Sequence, residues 1–238
     1  MSVKLKFSSI IFNLLIIISS LIGLILSISG SDTMMVSFKS LLFFTLQSNI
    51  ICIIVSILTL VFLIKNYISP NKKIPSLIYT IKFLGVCCIT LTMLVFWLFL
   101  AIQTNVKYLL GPSNLTLHTI SPILCILDFL LNDNIIKFNN SKIITCSCGF
   151  PIYYLIFVFI CVYHGITFSN GKDGLFPYFF LNYRVLGWFK ISKNGLGVFY
   201  WIIIMICITI GIGYGLYNLK IFVNNKFKEK ISHEEFLK

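Results

Sequence analysis

Polar residues divide this chain into six long apolar runs: Phe7 to Ser29, Leu41 to Ile64, Leu77 to Ile102, Leu115 to Leu131, Phe150 to Phe168 and Leu196 to Val223. A helix satisfies its own backbone hydrogen bonds, so it can cross hydrocarbon, and it needs about 20 apolar residues to do so. The pattern predicts an all-α fold, a polytopic integral membrane protein built as one bundle of six transmembrane helices over residues 1–238, with 224–238 as a short charged tail. The fourth run is the shortest and carries His118, Pro122 and Asp128. Ser121-Pro122 reads either as an N-cap followed by proline at the first helical position, or as a kink inside a longer helix. The first run follows Lys4 and Lys6 and ends in Ser27-Ile28-Ser29, as a signal peptide would, but its apolar core is long for one and predicts a retained helix.

Composition agrees with the pattern. With 58% hydrophobic and only 11% charged residues, a soluble domain of this length would lack polar cover for its own surface. The formal net charge of +12 sits mainly in short clusters between the apolar runs, which suits anionic lipid headgroups rather than nucleic acid. Bilayer lipids are therefore the expected partners. No phosphate-binding loop or extramembrane domain is present in the sequence, so no cofactor is expected. Cys52, Cys87, Cys88, Cys125, Cys161 and Cys207 lie within apolar runs, as small hydrophobes. Cys146 and Cys148 fall between runs, but their spacing makes a poor disulfide and lacks a second ligand pair for zinc, so no metal is expected.

Basic residues orient the bundle. With six crossings, thirteen of the 19 Lys and Arg residues, Lys82 and Lys220 among them, fall on the side of the two termini; Lys39, Lys107, Lys172, Arg184, Lys190 and Lys193 fall on the other. The expectation is a multi-pass protein of the cell membrane with both termini cytoplasmic.

Polar groups at membrane depth need a reason. In the second run Thr45, Ser48, Asn49, Cys52, Ser56 and Thr59 recur at helical spacing on one face, while Gln47 points elsewhere. The lower half reads as a packing seam of small residues. The upper half reads equally as a seam or as the wall of a polar cavity. The predicted topology brings Thr45, His118 and His164 to a similar depth near the outer surface. A threonine hydroxyl beside a neutral imidazole is a nucleophile with its base, and Gln47, Ser48 or Asn49 could donate to a developing oxyanion. Asp128, ten residues past His118, lies about 15 Å further along a helix, too far to bond it directly. It is expected to pair with Lys82, to orient His118 through other groups, or to serve an ion path. Gly211, Gly213 and Gly215 include a Gly-xxx-Gly spacing that suggests close helix packing. The loop before the last run, with Phe176, Tyr178, Phe179, Phe180, Tyr183 and Trp188, suits an interfacial aromatic belt or a lid over a lipid-facing pocket.

Phe44-Thr45-Leu46-Gln47-Ser48-Asn49 resembles the F-T-x-Q-S-N motif of the androgen-induced and androgen-dependent membrane hydrolases. Leu117-His118-Thr119-Ile120-Ser121-Pro122, followed by Leu127-Asp128-Phe129, is similar to their H-x-x-x-P segment and its downstream acid, and Phe176-Pro177-Tyr178-Phe179-Phe180 resembles their aromatic stretch before the last helix. The resemblance implies a membrane-embedded threonine hydrolase of fatty acid esters of hydroxy fatty acids or similar acyl lipids, with Thr45 as nucleophile, His118 as its partner and Tyr178 among the supporting residues. The competing expectations are a carrier that uses Asp128, His118 and the polar stripe as its path, and a non-catalytic scaffold.

Overall fold

The computed structural model describes residues 3–30, 38–68, 75–104, 106–132, 137–168, 174–193 and 195–236. Six long helices account for most of them: α1 (Val3–Ser29), α2 (Phe44–Ile68), α3 (Ser76–Val95, prolonged by a π-helical turn Phe96–Leu100), α4, α5 (Asn140–Tyr163) and α6 (Val198–Phe236). α4 is composite, running through Pro112–Leu115, a π-helical turn Thr116–Ile120 and Ser121–Asn132. Each of the six is long and apolar enough to cross a membrane, including the fourth, at Pro112–Leu131. The chain is an all-α six-helix bundle. Among the described residues its only sheet is the two-residue ribbon β1 (Ile191–Ser192) and β2 (Gly195–Leu196).

α3 is the hub, packing on α2, α4, α5 and α6, while α1 packs on α2 and α4 and α5 packs on α6. Its sequence suits that place: Phe83, Cys87, Cys88 and Ile89 are fully buried, and Gly85 faces Ile51 and Cys52 of α2 at a distance where a methyl group would make ordinary contact. Lipid tails are as apolar as leucine, so burying leucine alone does not join helices in a bilayer; close approach and interhelical hydrogen bonds do. Thr45, Ser48, Asn49, Cys52, Ser56 and Thr59 are all buried, as a single cohesive face of α2 requires. α1 packs closely in the bundle: a Cβ on Gly23 would stand 2.6 Å from Leu117 Cγ, so this glycine is what allows α1 to touch the π turn of α4.

Several boundaries differ from the sequence reading. α5 starts at Asn140, not at Phe150, because Asn139 caps it by accepting from the Lys142 backbone N–H at 2.9 Å. Pro151 lies inside the helix, where neighbouring helices make a proline tolerable. Cys146 and Cys148 are consequently buried helical residues rather than loop residues, and Phe168 lies beyond the helix, buried edge-on against Phe43. Ser121-Pro122 is the interior of α4, immediately after its π turn, which is the kink reading and not the N-cap. The last helix continues through Phe236, so the stretch predicted as a tail extends it. The Gly-xxx-Gly pair makes no seam: a Cβ on Gly211 or Gly215 would meet nothing within 4 Å, whereas one on Gly213 would stand 2.8 Å from Ser147 Cβ on α5.

Candidate active site

α2 begins after a short 3₁₀ turn, Phe38–Leu42, and Gln47 Nε2 reaches back to the Leu41 and Leu42 carbonyls at 3.3 and 3.4 Å. That puts Thr45 in the first turn, where backbone N–H groups lack helical partners and the helix dipole is positive. The aromatic loop descends onto this turn. Phe176, Phe180 and Leu181 are buried, and Tyr178 and Phe180 stack at 5.2 Å with 6° between ring planes. The lid reading therefore holds for this part of the loop, while Trp188 and Phe189 remain exposed. Burial pushes the Tyr178 phenol up to about 12; the Thr45 and Tyr154 hydroxyls and the backbone N–H groups of Phe44 and Thr45 face its oxygen and act in the opposite direction.

His118 lies in the π turn of α4 and packs against the π turn of α3. Its ring stacks on Phe96 at 3.8 Å and 14°, and one edge reaches the Thr92 carbonyl. Trp97 Nε1 donates to Thr119 Oγ1 at 3.2 Å, a second tie between the two turns. Single π turns inside α-helices concentrate at functional sites, because the extra residue redirects a side chain. His118 is buried, and its Nδ1 makes no hydrogen bond among the described residues.

These parts line one cavity of about 100 Å³. Thr45, His118, Tyr178, Tyr154 and Thr92 lie along its wall with Leu91, Leu155, Ile202 and Met205 of α3, α5 and α6, and the surface they present to it is almost entirely apolar. The volume is of the order of the ~150 Å³ that holds a benzene ring in a protein core. It has room for a reacting group, so the rest of a long-chain ligand must extend through the mouth.

The structure thus brings Thr45, His118 and Tyr178 together and leaves the other expected site residues outside. Ser48 Oγ donates to the Thr45 carbonyl at 3.0 Å and is 2.8 Å from Thr92 Oγ1. Asn49 Nδ2 bridges the Thr45 carbonyl at 2.8 Å and the Leu117 carbonyl at 3.3 Å. Both are committed behind the cavity wall, and Gln47 to the start of α2, so none of the three lines the cavity as an oxyanion donor would. His164 caps the C-terminus of α5, exposed and edge-on to Tyr163 at 5.3 Å; matching depth did not place it on the matching side of the bundle. Asp128 is fully buried elsewhere, paired with Lys82 at 2.6 Å and accepting from Asn13 Nδ2 at 2.9 Å. Its pairing with Lys82 was one of the expected roles.

Phe96, Tyr154 and Thr92 were not legible as site residues. Each is ordinary for a membrane helix, and only the crossing of α2, α3 and α5 makes them neighbours. Among the described residues no group of three His, Cys, Asp or Glu side chains gathers to hold a metal. No family model, no curated protein and no solved structure matches the chain.

Proposed function

We propose that the chain is a membrane-embedded hydrolase of lipid esters in which Thr45 is the nucleophile and His118 its general base, the activity that the resemblance implies. The observation that carries this reading is that Thr45, His118 and Tyr178, drawn from three separate motifs, line one cavity, with His118 buried in its wall and its Nδ1 without a hydrogen-bond partner among the described residues. A buried imidazole nitrogen ordinarily finds a partner, and leaving it open is costly unless a ligand or a proton transfer uses it.

In the proposed reaction Thr45 Oγ1 attacks the ester carbonyl carbon and its proton passes to His118. The oxyanion is held by the Tyr178 hydroxyl and the first N–H groups of α2, where the dipole favours negative charge. Collapse breaks the ester C–O bond, the leaving alkoxide takes the proton from His118, and water then cleaves the acyl-threonine by the same relay. Acyl esters resident in the bilayer are the substrate class. The carrier reading is the weaker one, since Asp128 is neutralised by Lys82 and lies outside the cavity that contains His118.

We place the cavity toward the outer face of the cell membrane with both termini cytoplasmic. Lys82 is paired with Asp128, and Lys220 is buried and donates to the Leu130 carbonyl at 2.7 Å. Removing both from the charge comparison leaves eleven basic residues against six, and the bias keeps its sign.

The test is labelling of purified protein with a lipid-like fluorophosphonate, together with turnover of a long-chain ester. Label on Thr45 that disappears in Thr45→Ala and His118→Ala, with the fold retained, supports the reading. Unchanged ester turnover in both variants overturns it.

A further inference from the structure

α5 and α6 touch at one level and separate at another. At Gly213 an added Cβ would stand 2.8 Å from Ser147 Cβ, so there the two helices are in close contact. Seven residues earlier on α6, two turns return to nearly the same face, offset by about 20°. Ile206 occupies that position, yet it is 36% exposed. The face that meets α5 at Gly213 is still buried at Thr209 and becomes uncovered at Ile206, so α5 leaves α6 exposed at that level. On α5, Ile152, past Ser147 in the same direction along the bundle, is 44% exposed.

Both isoleucines line the cavity, and every other residue of its wall is buried or half-buried. α5 and α6 are both apolar helices of membrane-spanning length, so a gap between them faces hydrocarbon rather than water. The walls that α5 and α6 contribute carry Leu155, Ile202 and Met205, while Thr45, His118 and Tyr178 lie on α2, α4 and the aromatic loop. The cavity is lined almost entirely by apolar atoms, as a site for an acyl chain requires, and its few hydroxyl and imidazole groups come mainly from α2, α3, α4 and the aromatic loop, with Tyr154 from α5 and Thr209 from α6.

We infer that the gap between Ile152 and Ile206 is a lateral portal, and that the cavity binds the carbonyl end of one acyl chain of a bilayer lipid while its tail trails through the portal into the membrane. A cavity of about 100 Å³ is too small for a whole fatty acyl chain, and a trailing tail resolves the mismatch without closing the site. The portal itself stands on the helix geometry. Only the direction in which the carbonyl points rests on the hydrolase reading.

The probe is a long-chain fatty acid methyl ester with a mid-chain diazirine, incorporated in phosphatidylcholine vesicles that contain the full chain. After irradiation, adducts are mapped on the protein. The expected result is labelling of Leu155 and Met205 in addition to the outward-facing Ile156 and Ile160. Ile206→Trp fills the gap and abolishes the labelling of Leu155 and Met205 while leaving Ile156 and Ile160 labelled. Ile206→Ala only widens the gap and raises it, a change of opposite sign that misfolding would not produce. Labelling confined to outward-facing residues, or interior labelling indifferent to both substitutions, overturns the portal. Thr45→Ala is labelled like the parent if the portal is right, whether or not the parent hydrolyses esters, so the two proposals fail separately.

Discussion

His118 and Asp128 stand ten residues apart on α4, about 15 Å by helical rise, and they occupy opposite kinds of surroundings. The Asp128 carboxylate is answered: Lys82 at 2.6 Å and Asn13 at 2.9 Å meet one oxygen and Ser9 Oγ approaches the other at 3.5 Å, although Asn13 Oδ1 beside it has no hydrogen-bond partner among the described residues. This node joins α1, α3 and α4, and Asp128 lies outside the cavity that contains His118. Around His118 the ring is gripped by Phe96 on one face and reaches the Thr92 carbonyl, yet Nδ1 has no partner among the described residues and the imidazole lines a cavity. An ionisable residue at membrane depth is expensive in either place. The difference teaches that cost alone does not mark function; a saturated group is cohesion, and an unsatisfied one beside free space is a candidate for chemistry.

The sharpest way to break this comparison is at the cavity. His118→Ala should lower ester turnover by about 10²–10⁴-fold, the usual share of a general base, with a thermal midpoint in detergent close to that of the parent. A collapse of the midpoint instead would make His118 another cohesive residue and erase the contrast.

The node should respond in the opposite way. Asp128→Leu strands the Lys82 ammonium in the bundle and should destabilise by about 3–5 kcal/mol, whereas Lys82→Met combined with Asp128→Leu should recover most of that loss. Chemical denaturation of the single and double variants in the same micelles measures both. If the double variant keeps its fold but loses ester turnover, Asp128 takes part in the chemistry after all.

Gly23→Leu probes the contact between α1, which carries half of the node, and the π turn that carries His118. The space is already filled by Leu117 and Thr116, so overpacking of about 1–3 kcal/mol is expected, with turnover falling as the turn is displaced. A stable, fully active variant would show that the turn does not depend on α1. The smallest effect belongs to Ser9→Ala. Its 3.5 Å contact with Asp128 is long, and a stability change of about 0.5 kcal/mol or less is expected from differential scanning fluorimetry.

Most of the fold was legible because bilayer physics leaves few options: an apolar run of sufficient length must be a helix, and six such runs must pack as a bundle. The failures are informative. The fifth apolar run starts at Phe150, but the helix starts at Asn140 because Asn139 caps it, a signal that hydropathy does not carry. The Gly-xxx-Gly spacing pointed to Gly211 and Gly215, but only Gly213 faces α5, because spacing within a helix says nothing of which face its partner meets. His164 is expected from topology at the depth of Thr45 and yet lies outside the cavity, exposed at the end of α5.

The sequence by itself determined the all-helical membrane architecture, the buried polar face of α2 and the residue types able to do acyl chemistry, since these follow from periodicity and from the cost of polarity in lipid. Tertiary structure alone decided which of those residues meet. It gathered Thr45, His118 and Tyr178 around one space and committed Ser48 and Asn49 to backbone carbonyls behind it. It also paired Asp128 with Lys82. The physical reason is that a run of hydropathy sets depth along the membrane normal, whereas position in the membrane plane depends on helix rotation and crossing, which only packing supplies.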